Sequence, residues 1–351
     1  MSALPNSHQA LLKNSDCLVG RTVFLGLSDP GLLDRIAGNG LVMTENAGTL
    51  ALLQSSHPDW QAAFGYDDPI LGPGLADTVA IFMPKSRTEL SLRLALAVWL
   101  VADGGRVLLV GEKKEGIAGG VRQMKEVLPE SGKLDSARHC QVWQAKGVST
   151  SRFSEFRLAD WVKWHTVESN ALAIEVAGLP GIFSDGELDA GTALLLDTLA
   201  RSPLVPGRAL DFACGAGVIG AWLQTLQARD GGDAYPVEGL DVQFQAVTCA
   251  RLTYDRAGAQ GTIAASDGLP ASAGPWQSVV TNPPFHTGVR TDMSVTERFL
   301  ESVSRHLVKG GELRLVANRF LPYRPLIEQH IGRASVLAEN TKFVVWSAFK
   351  P

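Results

Sequence analysis

Three short stretches of this chain carry residues whose types and spacing could do chemistry. The first is "TNPPF", Thr281 to Phe285, directly after the apolar run "WQSVV". Proline cannot donate to a sheet ladder, so a strand ending here is stopped by two of them, and the residue before a proline is pushed toward extended geometry. The tip of a core strand therefore presents the Asn282 amide, rigid carbonyls at Pro283 and Pro284, and the Phe285 ring. An ordinary Asn-Pro turn would also account for it. The second stretch is "DFACGAGVIG", Asp211 to Gly220, with glycines at 215, 217 and 220 in a full G-x-G-x-x-G between a strand and a helix. Glycines permit the tight turn and a close approach of backbone to a ligand. The third is "PVEGLD", a strand ending in Asp241, 24 residues beyond Gly217. That is within the range expected for a carboxylate that binds two ribose hydroxyls. Together they point to a nucleotide-like ligand. A diphosphate sits poorly beside Asp211, whose charge suits a ligand with a positive end, such as the amino-acid part of S-adenosylmethionine. Asp267 in "SDG" either accepts from an adenine amino group or starts a turn.

The elements needed to position these residues are legible in the second half. "RALDFA", "PVEGLD", "GTIAAS", "QSVVTN" and "GELRLVA" read as strands, separated by stretches with apolar residues near helical spacing. Such alternation implies a parallel sheet covered on both faces. "ASVLAEN" and "KFVVWSAFK" then form a terminal antiparallel hairpin. The first half repeats the plan: "DTVAIFMPK" resembles "QSVVTNPPF", and "VADGGRVLLVGE" resembles "LVKGGELRLVAN". This is an internal duplication with unequal loops. The expected fold class is α/β, with two tandem Rossmann-like domains and a seven-stranded, mostly parallel sheet closed by the hairpin in the second. The expected boundaries are 1–156 for the first domain, 157–170 for a linker and 171–351 for the second. In the first domain "FLGLSDPGLL" stands where the glycine loop should be. Glu45 is the candidate for the ribose acid, and "MPK", Met83 to Lys85, replaces "NPP".

Composition narrows the function further. The 351 residues are 45% hydrophobic and 19% charged, an ordinary globular mixture. The longest apolar stretch, "LALAVWLVA", is too short to span a bilayer, and no signal peptide is visible at the N-terminus. The four scattered cysteines make no zinc pattern and fit a cytoplasmic protein. No metal is expected. The net charge of −4 does not announce a nucleic-acid binder, but residues 1–80 hold 3 Lys/Arg against 8 Asp/Glu while residues 81–150 hold 11 against 7. The second of these segments is a candidate phosphate-facing surface.

In their order and spacing, "DFACGAGVIG", "GLDV", "SDG" and "TNPPF" resemble the class I S-adenosylmethionine-dependent methyltransferases, and N-P-P-aromatic resembles their amino-group branch. "GLPGIFSDGELDAGTALLLDTL", "NPPFHTG", "GGELRLVANRFLPY", "VGEKKEGI" and "KLDSARHC" look like the small-subunit ribosomal RNA guanine-N2 methyltransferase C family, over nearly the whole chain. The resemblance implies S-adenosyl-L-methionine as cofactor, a guanosine amine of 16S ribosomal RNA in the small subunit as acceptor, and a monomer with no membrane partner. It implies cofactor contacts from Asp211, Gly215, Gly217, Asp241 and Asp267. The Asn282 side-chain oxygen and the Pro283 carbonyl would accept from the amine while Phe285 stacks on the base. Lys85, Arg87, Arg93, His286, Arg290, Arg319 and Arg324 are candidate RNA contacts. Other amino acceptors (a large-subunit guanine, an adenine N6, a protein glutamine), an NAD enzyme on the same fold and a non-catalytic assembly factor are the alternatives.

Overall fold

The computed structural model describes residues 3–182, 188–231, 234–283 and 293–351. Phe285, His286 and Arg290 lie outside the described residues. The chain divides into two compact units, Met1–Val162 and Lys163–Pro351.

The first unit runs α1 (Asn6–Lys13), β1 (Thr22–Leu25), β2 (Gly40–Thr44), α2 (Ala47–Ser56), β3 (Gln61–Phe64), β4 (Ala76–Phe82), α3 (Arg87–Leu100), β5 (Val101–Glu112), α4 (Ile117–Val127), β6 (Gly132–Ala137) and β7 (Cys140–Val148). The second begins with a separate hairpin, β8 (Lys163–Ser169) and β9 (Leu172–Gly178). It continues through α5 (Ala190–Arg201), β10 (Ala209–Phe212), α6 (Val218–Arg229), β11 (Val237–Asp241), α7 (Phe244–Ala257), β12 (Ile263–Ala265), β13 (Trp276–Thr281), α8 (Met293–His306), β14 (Leu307–Asn318), α9 (Tyr323–His330), β15 (Ala334–Glu339) and β16 (Phe343–Phe349).

The duplication is visible in the strand order. The first sheet runs β3-β2-β1-β4-β5-β7-β6 and the second β12-β11-β10-β13-β14-β16-β15. In each, five strands pair in parallel and the last two antiparallel. The irregularity in β4, between Ala76 and Thr78, recurs in β13 between Trp276 and Ser278. Strands β1 and β2 are buried at every residue, as parallel strands covered on both faces must be. The second unit's core gathers Leu210, Trp276, Val279, Leu300 and Leu313 on one such face. Helices start where a side chain satisfies the free amides of the first turn: Ser86 caps α3 through the Glu89 amide, and Asp189 caps α5 through the amides of Gly191 and Thr192.

The stretch expected as a linker, 157–170, is built into the fold. It holds a 3-10 turn, Leu158–Trp161, and the whole of β8. The polar, largely exposed face of β8 hides its strand character in the sequence. Among the described residues, no helix is long and apolar enough to cross a membrane.

Candidate active site

The chemistry-bearing residues of the second unit converge on one edge of its sheet. Asp211, Asp241, Asp267 and Asn282 sit in or just after the C-terminal ends of β10, β11, β12 and β13, which are neighbours in the sheet. The chain order reverses between β10 and β13, and ligands of open α/β sheets bind outside the strand ends at such a switch point.

The loop from Asp211 to Gly217 shapes this edge. Ala213 is held at φ 56°, Gly215 at φ 53° and Gly217 at φ 78°, all in the left-handed region. A side chain there is costly for Ala213 and natural for the glycines. The three glycines of the motif do different things. Gly220 lies in α6 against the Tyr254 hydroxyl, where a Cβ would collide, and Gly217 packs 3.0 Å from Ala250 of α7 by the same measure. A Cβ built on Gly215 would meet nothing within 4 Å, so this is where the loop leaves room for a ligand.

Asp241 is tied to that loop. Its Oδ2 accepts from the Gly215 amide at 3.0 Å and its Oδ1 from the Gln243 amide at 3.0 Å. Burial raises its pKa while these amides oppose the shift. Asp211 is wholly buried, and neither carboxylate oxygen makes a hydrogen bond of ordinary length and angle. Burial pushes its carboxyl up to about 8; the Gly220 backbone amide pulls the other way and the Asp241 charge adds to the rise. An orphaned buried carboxylate beside an open glycine turn fits a ligand bearing an ammonium group. Asp267 is exposed at the rim.

Asn282 is fixed by residues that sequence reasoning missed. Its amide nitrogen donates to both carboxylate oxygens of Asp189, at 3.2 Å each, and to the Thr192 hydroxyl at 2.9 Å. That hydroxyl donates in turn to Asp189. Asp189 lies 93 residues before Asn282; in the sequence it falls within "GLPGIFSDGELDAGTALLLDTL", where D-x-x-T is also the pattern of a helix cap. The Pro283 ring is buried. Beyond β14 the exposed Arg319 pairs with Glu339 and the exposed Arg324 with Glu328. Between them Phe320 is 82% exposed, on a turn closed by its own amide on Asn318 Oδ1.

Strand register places the first unit's counterparts residue by residue. Leu25 and Phe212 oppose Ile81 and Thr281 respectively, so Phe24 stands where Asp211 does and Phe82 where Asn282 does. Thr44 stands at the place of Asp241, and its Oγ1 accepts from the Asn46 amide as Asp241 accepts from Gln243. Tyr66 replaces Asp267 by the same register. Three expectations are corrected. Glu45 is one residue past the ribose-acid position. The segment opposite "NPP" is Phe82-Met83-Pro84, so the amide is lost to a phenylalanine and the second proline is kept. Arg93, expected at an RNA-facing edge, is 7% exposed. It is locked to Glu45, Glu89 and the Phe82 carbonyl at 2.6–3.0 Å. Lys85 and Arg87 are exposed.

A seven-stranded sheet of this order, with a glycine turn, an acid at the end of the neighbouring strand and an N-P-P sequence after the next, defines a methyltransferase. The model of the Methyltransferase small domain matches residues 173–347 and that of its N-terminal partner residues 8–165. The chain belongs to the ribosomal RNA small subunit methyltransferase C family. It is 38% identical to the Pseudomonas fluorescens member over 344 residues, covering 97% of this chain and 98% of the relative. It is 40% identical to the Pseudomonas aeruginosa member over 306 residues, covering 86% and 87%. A T. thermophilus 16S rRNA N2 methyltransferase, solved in complex with AdoMet and guanosine, shares the fold. Its TM-score is 0.82 at 22% identity, over 99% of this chain and 92% of that one.

Proposed function

We propose that the second unit transfers a methyl group from S-adenosylmethionine to the exocyclic N2 amine of a guanosine in 16S ribosomal RNA, within the small subunit. The observation that carries this reading is the fixed Asn282 amide. Its nitrogen is engaged by Asp189 and Thr192, so its oxygen is the edge left to face a substrate. A nucleobase amine is a poor nucleophile because its lone pair is delocalised into the ring. The Asn282 oxygen and the Pro283 carbonyl accept its two hydrogens and hold the lone pair out of the ring plane. S-adenosylmethionine supplies an electrophilic methyl on a sulfonium. The N–C bond would form at the held amine as the methyl–sulfur bond of the sulfonium breaks, its electron pair staying on sulfur as the departing neutral thioether (S-adenosylhomocysteine), and the surplus proton leaves to water. Most of the acceleration then comes from positioning.

The surrounding residues take matching roles in this reading. Asp211 faces the ammonium of the cofactor, Asp241 its ribose hydroxyls, Asp267 its adenine, and the turn at Gly215 and Gly217 lets the backbone come close. Phe285 and Phe320 offer faces for base stacking, worth roughly 1–3 kcal/mol per base in single-stranded complexes. Arg319 and Arg324 lie beyond β14, where exposed ion pairs exchange for phosphates at little cost; His286 and Arg290 are assigned to the same RNA from the sequence alone. The first unit, with phenylalanines at the positions of Asp211 and Asn282, is catalytically inert and supplies Lys85 and Arg87 to RNA. The chain acts as a monomer of 37.5 kDa in the cytoplasm, which light scattering checks for the mass.

The test is methyl transfer in vitro with labelled S-adenosylmethionine. Label should enter guanine N2 of 16S RNA in small subunits from cells lacking the gene. Label entering adenine, large-subunit RNA or protein glutamine instead would overturn the assignment.

A further inference from the structure

We propose that Asp189 and Thr192 are positioning residues that set which edge of the Asn282 amide meets the substrate amine. This rests on the amine-directing reading of Asn282 above. The three groups form a closed circuit with a defined direction. Asp189 can only accept when ionised. Thr192 donates its hydrogen to Asp189, so it offers a lone pair to Asn282. Asn282 must therefore turn its nitrogen inward, and the amide oxygen lies on the opposite edge. Turning the amide over would place its oxygen against a carboxylate and a hydroxyl lone pair, leaving both hydrogens of the nitrogen aimed at an amine that itself needs acceptors.

The circuit is held from outside the site. Asp189 is anchored by the Gly191 amide at 2.9 Å and the Thr192 amide at 3.2 Å, as cap of α5. The far end of α5 is also fixed: Arg314, 2% exposed in its side chain, donates to the Ser202 carbonyl at 2.6 Å. Phe343, opposite Asn318 in the sheet, packs on the α5 start, 3.3 Å from where a Gly191 Cβ would lie. Asn282 is thus oriented by a helix start that cannot drift along its axis. The first unit lacks the circuit: Phe82 takes the amide's place and stacks on His8 of α1 at 4.4 Å.

The experiment is a donor–acceptor exchange. Asp189→Asn keeps a good helix cap, because Asn and Asp cap equally well, yet it faces the Asn282 nitrogen with another donor. The amide should turn over. Expected are a kcat lower by roughly 10- to 100-fold, by analogy with the outer partners that orient ligating side chains at metal sites, with cofactor affinity and Tm close to wild type. Asn282→Asp alone sets two carboxylates together and should also be slow. The double variant Asp189→Asn/Asn282→Asp restores one donor and one acceptor in the reverse sense, with a carboxylate oxygen toward the substrate, and should exceed both single variants in kcat. A kcat for Asp189→Asn within twofold of wild type overturns the proposal. So does a double variant no faster than the slower single one. Wild type is measured first on small subunits: absence of guanine-N2 methylation there would overturn the functional reading itself, whereas an active wild type with an indifferent Asp189→Asn overturns only the positioning role.

Discussion

At the scale of single residues, Asp211 sets the most direct pH test. Its folded pKa is pushed up to about 8 by burial, against about 4 for an unperturbed aspartate. Between these values the folded chain holds a proton that the unfolded chain has released. The contribution to stability is therefore full below about pH 4 and is lost as pH rises toward 8, by up to about 1.4 kcal/mol per unit. Asp211→Asn has no proton to lose. Its ligand-free Tm should fall less than that of wild type between pH 5 and 8, while its affinity for S-adenosylmethionine drops and loses the rise with pH that the wild-type carboxylate imposes. Parallel Tm profiles and equal affinities would remove Asp211 from the cofactor site. Asn282→Ala should behave in the opposite way. Cofactor affinity stays near wild type and single-turnover methylation slows sharply, because its contact matters most as the amine pyramidalises. A rate within about twofold of wild type would defeat the amine-directing mechanism.

At the scale of elements, the glycine turn joins two demands that one pattern in the sequence could not separate. Gly220 serves the packing of α6 on α7, and Gly215 faces open space. An alanine inside a helix normally stabilises by roughly 0.5–1 kcal/mol over glycine. Gly220→Ala should instead destabilise by about 1–3 kcal/mol, the usual range for overpacking, because Cβ meets the Tyr254 hydroxyl that donates to the Val237 carbonyl at 2.9 Å. Calorimetric melting decides the sign, and a rise in Tm would refute the packing role. The strands around the turn were legible because apolar runs and their order survive in one dimension. What was not legible depends on pairing. A slip of one residue moves a position from site to neighbour, and that single step separates Glu45 from Thr44 and Met83 from Phe82. The Asp189–Asn282 contact joins two strand and helix ends that only the folded sheet brings together, and a cap signature carries no hint of what else the carboxylate will hold. The hairpin of β8 and β9 escaped because its burial is one-sided and partial.

At the scale of the whole molecule, the two units share a strand order and differ in the residues at their strand ends. Both keep the same strand order and the same irregularity in the central strand. The first unit's vacated positions hold Phe24, Thr44, Tyr66 and Phe82, and the neighbouring Arg93 is closed off by Glu45 and Glu89. Calorimetric titration with S-adenosylmethionine should accordingly give one site per chain. Retaining so large a unit requires another use, and its surface charge suggests one. Lys85 and Arg87 are exposed just past the end of β4, at the start of α3, in the segment 81–150 where cations outnumber acids by 11 to 7. With Arg93 buried in its ion pairs, the proposed phosphate contacts of that edge fall to these two. Each neutralised phosphate contributes to affinity and to its salt dependence. Lys85→Ala with Arg87→Ala should weaken RNA binding and flatten its salt slope by roughly one to two units, while cofactor binding by the second unit stays unchanged. The rival role is that of a folding partner alone. Binding of the double variant equal to wild type at every salt concentration, together with insoluble protein when the first unit is deleted, would establish the rival.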